Sequence, residues 1–312
     1  MGEIMRGSSM KDLLEEKIKI LSQEAWKDRV NGGDVCEWLN NFKPEECLYA
    51  SFLLSSFIYF DNNSIRELLR RAYIDLYKRP ELFKIRRKNR DTLDIGIINS
   101  KFNKILSRTR FINIGNPSES SAHLLYYYRQ ENDLPVGLFI NAHEIYTHKI
   151  LANNIKTQLD VSKIDTIIFI EDFCGSGTQA TEYYEKFVKP IKKKYKKIRI
   201  LFHSLFATQT GFNIVNDLGY DEVKTLFLLD ESFKCFSNKS RFFNETHDET
   251  KNQCQIICTT HGENLCKEHP LGYKDGQLLI GFYHNTPNNT LPIFWSTAPS
   301  WTPIFKRYRK RK

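Results

Sequence analysis

The chain has 312 residues and a formal net charge of +9, and 41% of its residues are hydrophobic and 13% aromatic. This length suits one large or two small domains, and the apolar content provides a core, which argues against an intrinsically disordered protein. No apolar run reaches the length of a membrane span and the first residues lack a secretory signal, so we expect a cytoplasmic protein without a membrane partner. The seven cysteines predict reduced thiols.

Residues 1–105 are predicted to form a helical region. Apolar residues recur at helical spacing after a capping residue, Ser9, and a second helix is expected to begin near Pro44. A third helix is predicted to begin at a capping box on Ser64 and to end at Pro80. None of these residues carries chemistry, so the region is interpreted as a lid, a dimer face or a docking surface for a protein partner.

Residues 106–235 alternate strands with helices, which predicts a mainly parallel α/β sheet with helices on both faces. The predicted strands, in chain order, are 111–114, 136–140, 167–170, 198–206 and 223–229. The polar segment that follows the second strand, up to about Leu159, is expected to be helical. In such sheets ligands bind at the carboxyl ends of the strands, near a switch in strand order.

The stretch with the clearest chemistry follows the strand at 167–170. Two acids, Glu171 and Asp172, come next, and a loop of small residues then opens a helix. The glycines allow a ligand to approach the backbone, and the N–H groups at a helix N-terminus favour a phosphate. The two carboxylates are placed to accept hydrogen bonds from vicinal ribose hydroxyls. The predicted phosphate-binding residues are Cys174, Gly175, Ser176, Gly177 and Thr178.

Two commoner phosphate loops are excluded. No lysine follows Gly177, so this is not the P-loop of ATPases. The acids precede the glycines and no Gly-x-Gly-x-x-Gly is present, so this is not a dinucleotide fingerprint. The remaining alternative is a buried strand followed by a glycine turn that binds nothing.

A second candidate loop follows the strand at 111–114 and opens another helix. It offers three hydroxyls and several N–H groups, and the alternative is an ordinary serine N-cap. Its residues are Ser118, Glu119, Ser120 and Ser121. His143 and Glu144 also follow a predicted strand, and they are either substrate or acid/base residues or plain surface residues.

Residues 236–312 are predicted to form a C-terminal extension that breaks the alternation and ends in a basic tail. Its Cys and His residues, from Cys254 to His269, do not have a usual zinc spacing, so we interpret the cysteines as core residues and assign no metal ligand. A polar loop beside two tryptophans is a candidate hood over a nucleobase or other ring; the alternative is a turn fixed by proline. The hood residues are Asn285, Asn288, Asn289 and Trp295.

Two segments resemble a known family: residues 167–178, and residues 271–276 together with 285–295. The first resembles the motif with which type I phosphoribosyltransferases bind phosphoribosyl pyrophosphate (PRPP). The second is similar to the phosphoribosyltransferase-like effector family of bacterial conflict (anti-phage) systems. The resemblance covers residues 106–305 and implies a phosphoribosyltransferase-like fold, a PRPP-type site with Mg²⁺, a cytoplasmic location and work inside a multi-protein defence module.

The resemblance also implies roles for single residues. Glu171 and Asp172 would hold the ribose hydroxyls directly or through Mg²⁺ waters, and the loop at 174–178 would hold the 5-phosphate. The loop at 118–121 would take the pyrophosphate, with Glu119 acting through Mg²⁺.

Two positions depart from the family pattern. Gly175 stands where the purine-salvage enzymes have an Asp that helps protonate the base, so salvage of that kind is not expected. Gln179 stands where the motif often has Thr or Ser, which removes one hydroxyl from the phosphate site.

Together these features predict a phosphoribosyltransferase-like protein that binds PRPP or a related ribosyl phosphate and transfers or cleaves a ribosyl group as a defence effector. One alternative is a catalytically inactive sensor of PRPP or a nucleotide, and another is a glycosidase. A further alternative is a nucleic-acid-binding protein that uses basic clusters at 86–90, 192–197 and 306–312. The acceptor and the trigger stay open, and so does assembly into a homo-oligomer.

Overall fold

The computed structural model describes residues 2–27, 29–114, 120–141, 144–151, 154–159, 163–243 and 248–308. The chain divides into two compact units. We call residues 1–65 with 229–312 the split unit and residues 66–228 the sheet unit. These limits differ from the expected boundaries after residues 105 and 235, because the first helices pack with the C-terminal segment and the helices after residue 65 pack with the central sheet.

The α-helices, in chain order, are α1 (Gly2–Ile20), α2 (Gly32–Leu39), α3 (Cys47–Ser55), α4 (Asn62–Arg71), α5 (Arg79–Lys88), α6 (Ile95–Ser107), α7 (Ser120–Glu131), α8 (Thr178–Tyr183), α9 (Lys189–Lys194), α10 (Gln209–Asp217), α11 (Asp248–Leu265) and α12 (Pro292–Trp295). The strands are β1 (Ile58–Phe60), β2 (Thr109–Asn113), β3 (Tyr146–Leu151), β4 (Asn154–Leu159), β5 (Thr166–Cys174), β6 (Arg199–Thr208), β7 (Glu222–Leu229) and β8 (Ile280–Phe282). π-Helical segments connect some helices, at Leu21–Ala25, Ala72–Lys78 and Tyr184–Val188.

The core of the split unit is built from both sides of the chain. Apolar residues of α1, α2 and α3 pack with those of α11 and α12 in one cluster. Within it the ring of Trp38 stacks on Phe294, with centroids 5.4 Å apart, and Trp38 Nε1 donates to the carbonyl oxygen of Ile293 at 2.8 Å. β1 pairs with β8 in parallel, Ile58 opposite Ile280, so the two segments of this unit also share a small sheet.

A four-stranded sheet in the order β2-β5-β6-β7 forms the centre of the sheet unit. β2, β5 and β6 are parallel, and the register places Ile168 of β5 opposite Phe111 of β2. Strands buried on both faces read as continuous apolar runs, which is why residues 167–170 are apolar without alternation. The antiparallel pair β3 and β4 forms a separate two-stranded sheet.

Strand order reverses between β2 and β5. An isolated parallel bridge joins Phe139 to Phe111, and the backbone N–H of Ile140 donates to the Phe111 carbonyl at 3.2 Å. The chain therefore leaves β2 towards one edge of the sheet and returns on the other side of β2 as β5. The carboxyl ends of these two strands border the kind of switch point at which α/β sheets bind ligands.

Helices cover both faces of this sheet. On one face, residues of α8, α9 and α10 pack with Phe169 and Phe202 in a single apolar cluster. On the other face, the rings of Tyr77 and Tyr128 pack against Phe111, with centroids 5.7 and 5.4 Å away. The expected α/β class, with a mainly parallel sheet between two helical layers, is confirmed.

Two predictions between β2 and β5 are wrong. Residues 136–140 were expected to form a strand, but Val136–Leu138 is a 3₁₀ turn and only the bridge at Phe139 remains. The segment up to Leu159 was expected to be helical, but it contains the hairpin of β3 and β4. β-Branched residues at 147, 150, 155 and 157 favour strands, and the two runs are joined by only two residues.

The predicted helix limits in the first hundred residues are also displaced. Pro80 does not end its helix, because the π-helical segment Ala72–Lys78 precedes it and α5 continues through it. A proline leaves the carbonyl four residues earlier without its helical partner. Here that carbonyl, of Leu76, accepts a hydrogen bond from Lys224 Nζ at 3.2 Å.

Other predicted helix starts differ by a few residues. Ser9 lies inside α1 rather than at its start. The helix expected near Pro44 begins at Cys47. The box expected on Ser64 is replaced by Asp61, whose Oδ1 accepts from the Ser64 N–H at 2.8 Å.

Candidate functional site

The two acids lie inside β5 rather than after it, because the strand continues to Cys174. Glu171 and Asp172 are each only 9% exposed. Successive side chains of a strand point to opposite faces, so the two carboxylates do not lie side by side. Asp172 Oδ1 accepts a hydrogen bond from the Phe173 N–H at 2.8 Å.

Glu171 lies on the face that α8 and α10 cover. Its register partner on β6 is Ser204, two residues after Phe202, which belongs to the apolar cluster on that face. Burial raises the pKa of Tyr220 on the same face well above its usual value, and the nearby charges of Cys174 and Glu171 add to the rise. Asp172 continues the opposite face, the face of residues 168 and 170.

The glycine loop at 175–177 leads directly into α8. Gly177 has φ of +71°, a left-handed conformation that favours glycine, and its carbonyl accepts from the backbone N–H and the hydroxyl of Thr181, both at 2.9 Å. Ser176 Oγ and Thr178 Oγ1 lie 2.9 Å apart in a hydrogen bond. The loop therefore presents two hydroxyls and a helix start, as the sequence predicted.

The end of β6 holds this loop in place. Thr208 Oγ1 donates to the Gly175 carbonyl at 2.6 Å and accepts from the Gly211 N–H at 3.0 Å, which also caps α10. A Cβ on Gly211 would lie 2.3 Å from the Gly175 carbonyl oxygen and 2.6 Å from that of Cys174. Only glycine permits this approach, so Gly211 fixes the loop from behind.

Sequence reasoning did not select Thr208 or Gly211. The Thr-x-x-Gly pattern at residues 208–211 signals a helix cap, and this cap is present. The contact of that cap with a loop more than thirty residues earlier in the chain has no sequence signal, because it is made only by the pairing of β5 with β6.

Cys174 is a buried neutral thiol. Burial, together with the nearby charge of Glu171, raises the pKa of the Cys174 thiol to about 12. A thiolate is therefore not available at this position, and Cys174 can contribute to the loop only as a neutral group.

The second candidate loop is partly beyond the described residues. Ser118 and Glu119 lie outside them, and Ser120 and Ser121 form the first residues of α7, with side chains that are likewise not described. β2 ends at Asn113, opposite Ile170 of β5, so the chain after β2 leaves the sheet at the same end as the glycine loop.

Of the two other strand-end candidates, His143 lies outside the described residues. Glu144 Oε2 accepts from the Asn141 backbone N–H at 2.6 Å and from its side-chain amide at 2.9 Å. Glu144 therefore closes a local turn.

Cationic side chains are missing from the sequence around the glycine loop. There is no Lys or Arg from residue 164 to 185 or from 200 to 223. These segments contain the end of β5, the loop, α8, most of β6 and α10. A phosphate here would be bound by backbone N–H groups and hydroxyls, with any further positive charge supplied from outside them.

The residues fit Mg²⁺ only as an ion shared with a ligand. Among the described residues, no three His, Cys, Asp or Glu side chains are grouped so as to hold a metal ion. Mg²⁺ is commonly bound by one or two carboxylates together with substrate phosphates and water. Because Glu171 and Asp172 lie on opposite faces of β5, one carboxylate of this pair would be available to such an ion.

The predicted hood residues make hydrogen bonds within the split unit. Asn289 Nδ2 donates to the Tyr273 carbonyl at 3.0 Å and Trp295 Nε1 to the Thr290 carbonyl at 2.7 Å. Asn285 Oδ1 accepts from the backbone N–H of Thr286 and of Tyr308, and Asn288 is half-buried. These bonds stabilise the loop itself, and a role over a bound ring stays a prediction.

The Cys and His residues of the C-terminal segment also pack within the split unit. Cys254 and Cys258 lie four residues apart on α11 and are fully buried in its core. His261 Nε2 lies 2.9 Å from Glu46 Oε2. The burial of Cys258 raises the pKa of its thiol well above the usual value, so it remains an apolar core residue.

A family model described as PRTase-CE matches residues 35–307, which include the glycine loop and both units. The chain belongs to this family. Membership makes it phosphoribosyltransferase-like, which is what residues 167–178 predicted. It does not test the link to anti-phage effectors, and no curated protein matches the chain.

Three solved structures are similar to this chain only at a low level. The xanthine-guanine-hypoxanthine phosphoribosyltransferase of Helicobacter pylori is 10% identical, with 55% of this chain and 92% of that chain covered and a TM-score of 0.23. The orotate phosphoribosyltransferase of Aeropyrum pernix is 7% identical, with 41% of this chain and 63% of that chain covered and a TM-score of 0.25. The UMP synthase of Leishmania donovani is 14% identical, with 61% of this chain and 34% of that chain covered and a TM-score of 0.26. Superpositions this poor add nothing to the family assignment.

The described helices include none that is both long and apolar enough to cross a membrane.

Proposed function

We propose that the protein binds PRPP or a related ribosyl phosphate at the loop after β5 and transfers or cleaves the ribosyl group. The observation that supports this proposal is the loop itself, which combines glycines at 175 and 177 with two hydroxyls and the start of a helix. Gly211 packs against the backbone of this loop, which lies where strand order reverses. Membership in a phosphoribosyltransferase-like family gives that loop its ligand class.

In this proposal the loop at 174–178 binds the 5-phosphate through backbone N–H groups and the hydroxyls of Ser176 and Thr178. The ribose hydroxyls are bound by a carboxylate of β5, and the segment after β2 contacts the pyrophosphate. The reaction breaks the bond between ribose C1 and the leaving group, which departs with the bonding electrons while positive charge develops on the ring. C1 then forms a bond to the acceptor in transfer, or to water in cleavage. Positioning of the ligand and electrostatic stabilisation of this positive charge by the carboxylates of β5 then account for most of the rate enhancement.

Mg²⁺ is proposed as part of the bound ligand complex. Asp172, with Glu171 or Glu119 as further candidates, would contact it directly or through water. The ion would neutralise phosphate charge, which the loop cannot do because no Lys or Arg lies between residues 164 and 185.

The test is a calorimetric titration of the purified protein with PRPP and Mg²⁺. We expect wild-type binding and its loss in Asp172→Asn, with Asp217→Asn as the matched control because Asp217 is an exposed residue at the end of α10. Full binding in Asp172→Asn would rule out this carboxylate. Wild-type protein that binds neither PRPP, NAD nor ATP would rule out the proposed ligand class.

A second candidate is a sensor that binds the same ligand without turnover. The lack of Lys and Arg on the segments around the loop favours it, because pyrophosphate departure leaves charge that must be neutralised. Binding of PRPP without release of pyrophosphate or free base, in the presence of nucleobases, nucleotides, nucleic acid and protein acceptors, would establish the sensor.

The cellular setting is proposed from the resemblance alone. It is a cytoplasmic effector or sensor in a bacterial defence module. The expected result is that expression is toxic, or protects against phage, only when Asp172 is intact. A nucleic-acid-binding role through the basic clusters would instead give salt-dependent binding that survives Asp172→Asn.

A further inference from the structure

A surface of the sheet unit combines protruding aliphatic side chains with basic side chains that form no ion pair among the described residues. It lies where α5 ends, the chain turns and α6 begins, at residues 83–104, and we call it the basic corner. Leu93 is 74% exposed, Ile95 72% and Ile97 42%, and Phe83 of α5 is 51% exposed. Large apolar side chains this exposed, grouped in one turn, are uncommon on a soluble surface.

The same corner has six basic residues and two acidic ones between residues 86 and 104. Within the described part of the chain, none of the six forms an ion pair with a carboxylate; they are Arg86, Arg87, Lys88, Arg90, Lys101 and Lys104. Lys189, by comparison, is paired with Glu185 at 2.6 Å. At this corner, six basic residues without an ion pair accompany the protruding aliphatic side chains.

Hydrogen bonds fix the backbone of the turn in the basic corner. Arg86 Nε donates to the Thr92 carbonyl at 3.2 Å, and Lys101 Nζ donates to Asn89 Oδ1. Asp94 Oδ1 caps α6 by accepting from the Ile97 N–H at 3.0 Å. These bonds hold Leu93 and Ile95 outward on a fixed backbone, so little conformational entropy is lost when they contact a partner.

We propose that the basic corner docks on an anionic phospholipid surface. The cations are complementary to acidic headgroups, and the aliphatic side chains insert at the boundary of the acyl chains, as on interfacial helices with Lys and Arg beside apolar residues. A second copy of this chain is disfavoured, because two such corners would repel each other.

The shape of the corner favours a membrane over other anionic partners. Its apolar side chains protrude, whereas protein docking sites hold their central contacts in packed pockets. Proteins that bind single-stranded nucleic acid stack bases on several aromatic rings, and this corner exposes only one, Phe83. The proposal revises the expectation of no membrane partner, which rested on the lack of a spanning segment.

The test is co-sedimentation of the full chain with vesicles of phosphatidylcholine, with and without phosphatidylglycerol. We expect binding only to the anionic vesicles. The charge variant Arg87→Gln/Lys88→Gln/Arg90→Gln should bind roughly 100-fold more weakly. The apolar variant Leu93→Asn/Ile95→Asn should bind at least about tenfold more weakly. The variants change exposed residues only, and circular dichroism checks that each is folded.

Matched controls change the same residue types elsewhere. Lys193→Gln/Lys194→Gln/Lys196→Gln removes three exposed charges near the end of α9, and Ile256→Asn removes an exposed aliphatic of α11. Both should bind vesicles as the wild type does. The proposal fails if wild-type protein ignores anionic vesicles. It also fails if the apolar variant binds normally, because the corner is then a purely electrostatic site for nucleic acid or an acidic protein.

Discussion

The carboxyl and amino ends of the central sheet differ in chemistry. Where β5 and β6 end, the chain presents glycines, hydroxyls and two buried carboxylates, and no Lys or Arg lies on the nearby segments. Where the same strands begin, ion pairs dominate: Arg108 with Asp165, Arg199 with Glu81, and Lys192 with Asp221.

This difference separates ligand chemistry from stability. At the carboxyl end the loop is fixed by backbone and hydroxyl contacts, among them that of Thr208 Oγ1 with the Gly175 carbonyl. At the amino end, basic side chains form ion pairs with acidic ones. The segments that form the loop thus contribute no Lys or Arg charge to an anionic ligand.

The largest effect is expected from Gly211→Ala, which places a Cβ against the carbonyl oxygens of Gly175 and Cys174. The loop must shift, so PRPP binding should be lost and the free energy of unfolding reduced by about 2 kcal/mol. Calorimetry and urea unfolding measure the two effects. Gly137→Ala is the control, because a Cβ there meets nothing within 4 Å. Wild-type PRPP affinity in Gly211→Ala would show that the close approach of Gly211 to the loop is not needed for binding.

The acid pair tests whether β5 divides its carboxylates between two faces. Glu171 lies on the face packed by α8 and α10, where a ribose would have to displace side chains such as Tyr220. Asp172→Asn should therefore weaken PRPP binding about 10- to 100-fold more than Glu171→Gln does. Equal losses in both variants, measured by calorimetry, would contradict the assignment to opposite faces.

At the amino end, Arg199→Gln should affect stability without affecting ligand. Glu81 is 4% exposed; burial alone would raise its pKa, but hydrogen bonds from Lys84 and Arg199 outweigh burial and lower it. Losing Arg199 leaves this buried carboxylate with one partner, which costs about 1–2 kcal/mol in urea unfolding. Arg79→Gln, which breaks the more exposed pair with Asp75, should cost about 0.5 kcal/mol. A changed PRPP affinity in Arg199→Gln would show that the amino and carboxyl ends of the sheet are energetically coupled.

A pH dependence of the free energy of unfolding is expected from Glu222. Burial alone would raise its pKa, but the neighbouring His203 ring and the Lys224 ammonium, which lies 2.9 Å from Oε1, lower that pKa from 4.5 to about 2. A lowered pKa in the folded state stabilises above pH 4.5, and that contribution is lost as the pH falls from about 4.5 towards 2. Urea unfolding across this range should be less pH-dependent in Glu222→Gln than in Glu182→Gln, an exposed control. Identical pH profiles for the two variants would show that Glu222 does not contribute to the pH dependence of stability.

Much of the sheet unit could be predicted from local pattern. Apolar runs predicted β5, β6 and β7 to within a few residues, although only β5 and β6 are buried on both faces. The small-residue loop predicted the start of α8. The hairpin of β3 and β4 was not predicted, because its polar residues resemble those of a solvent-exposed helix. Its β-branched residues and its two-residue connection are the features typical of a hairpin.

The residues around the loop show where local pattern stops being informative. The acids were expected after the strand, yet β5 extends four residues further because β6 offers partners up to Ala207. Gly211 has an unremarkable sequence context, and its requirement comes from a backbone approach between two distant segments. Contacts of this kind depend on tertiary pairing, so a single sequence does not encode them locally.

The interrupted sequence of the split unit also governs how the protein is made. β1 cannot find its partner until β8 leaves the ribosome, whereas every strand of the sheet unit belongs to one uninterrupted stretch. Domains fold as units during synthesis, so the inserted segment can finish first. Leu53, Leu54 and Phe57, which end up buried, spend that interval without their C-terminal neighbours. During that interval these apolar side chains form the kind of exposed surface that makes a folding intermediate prone to aggregate.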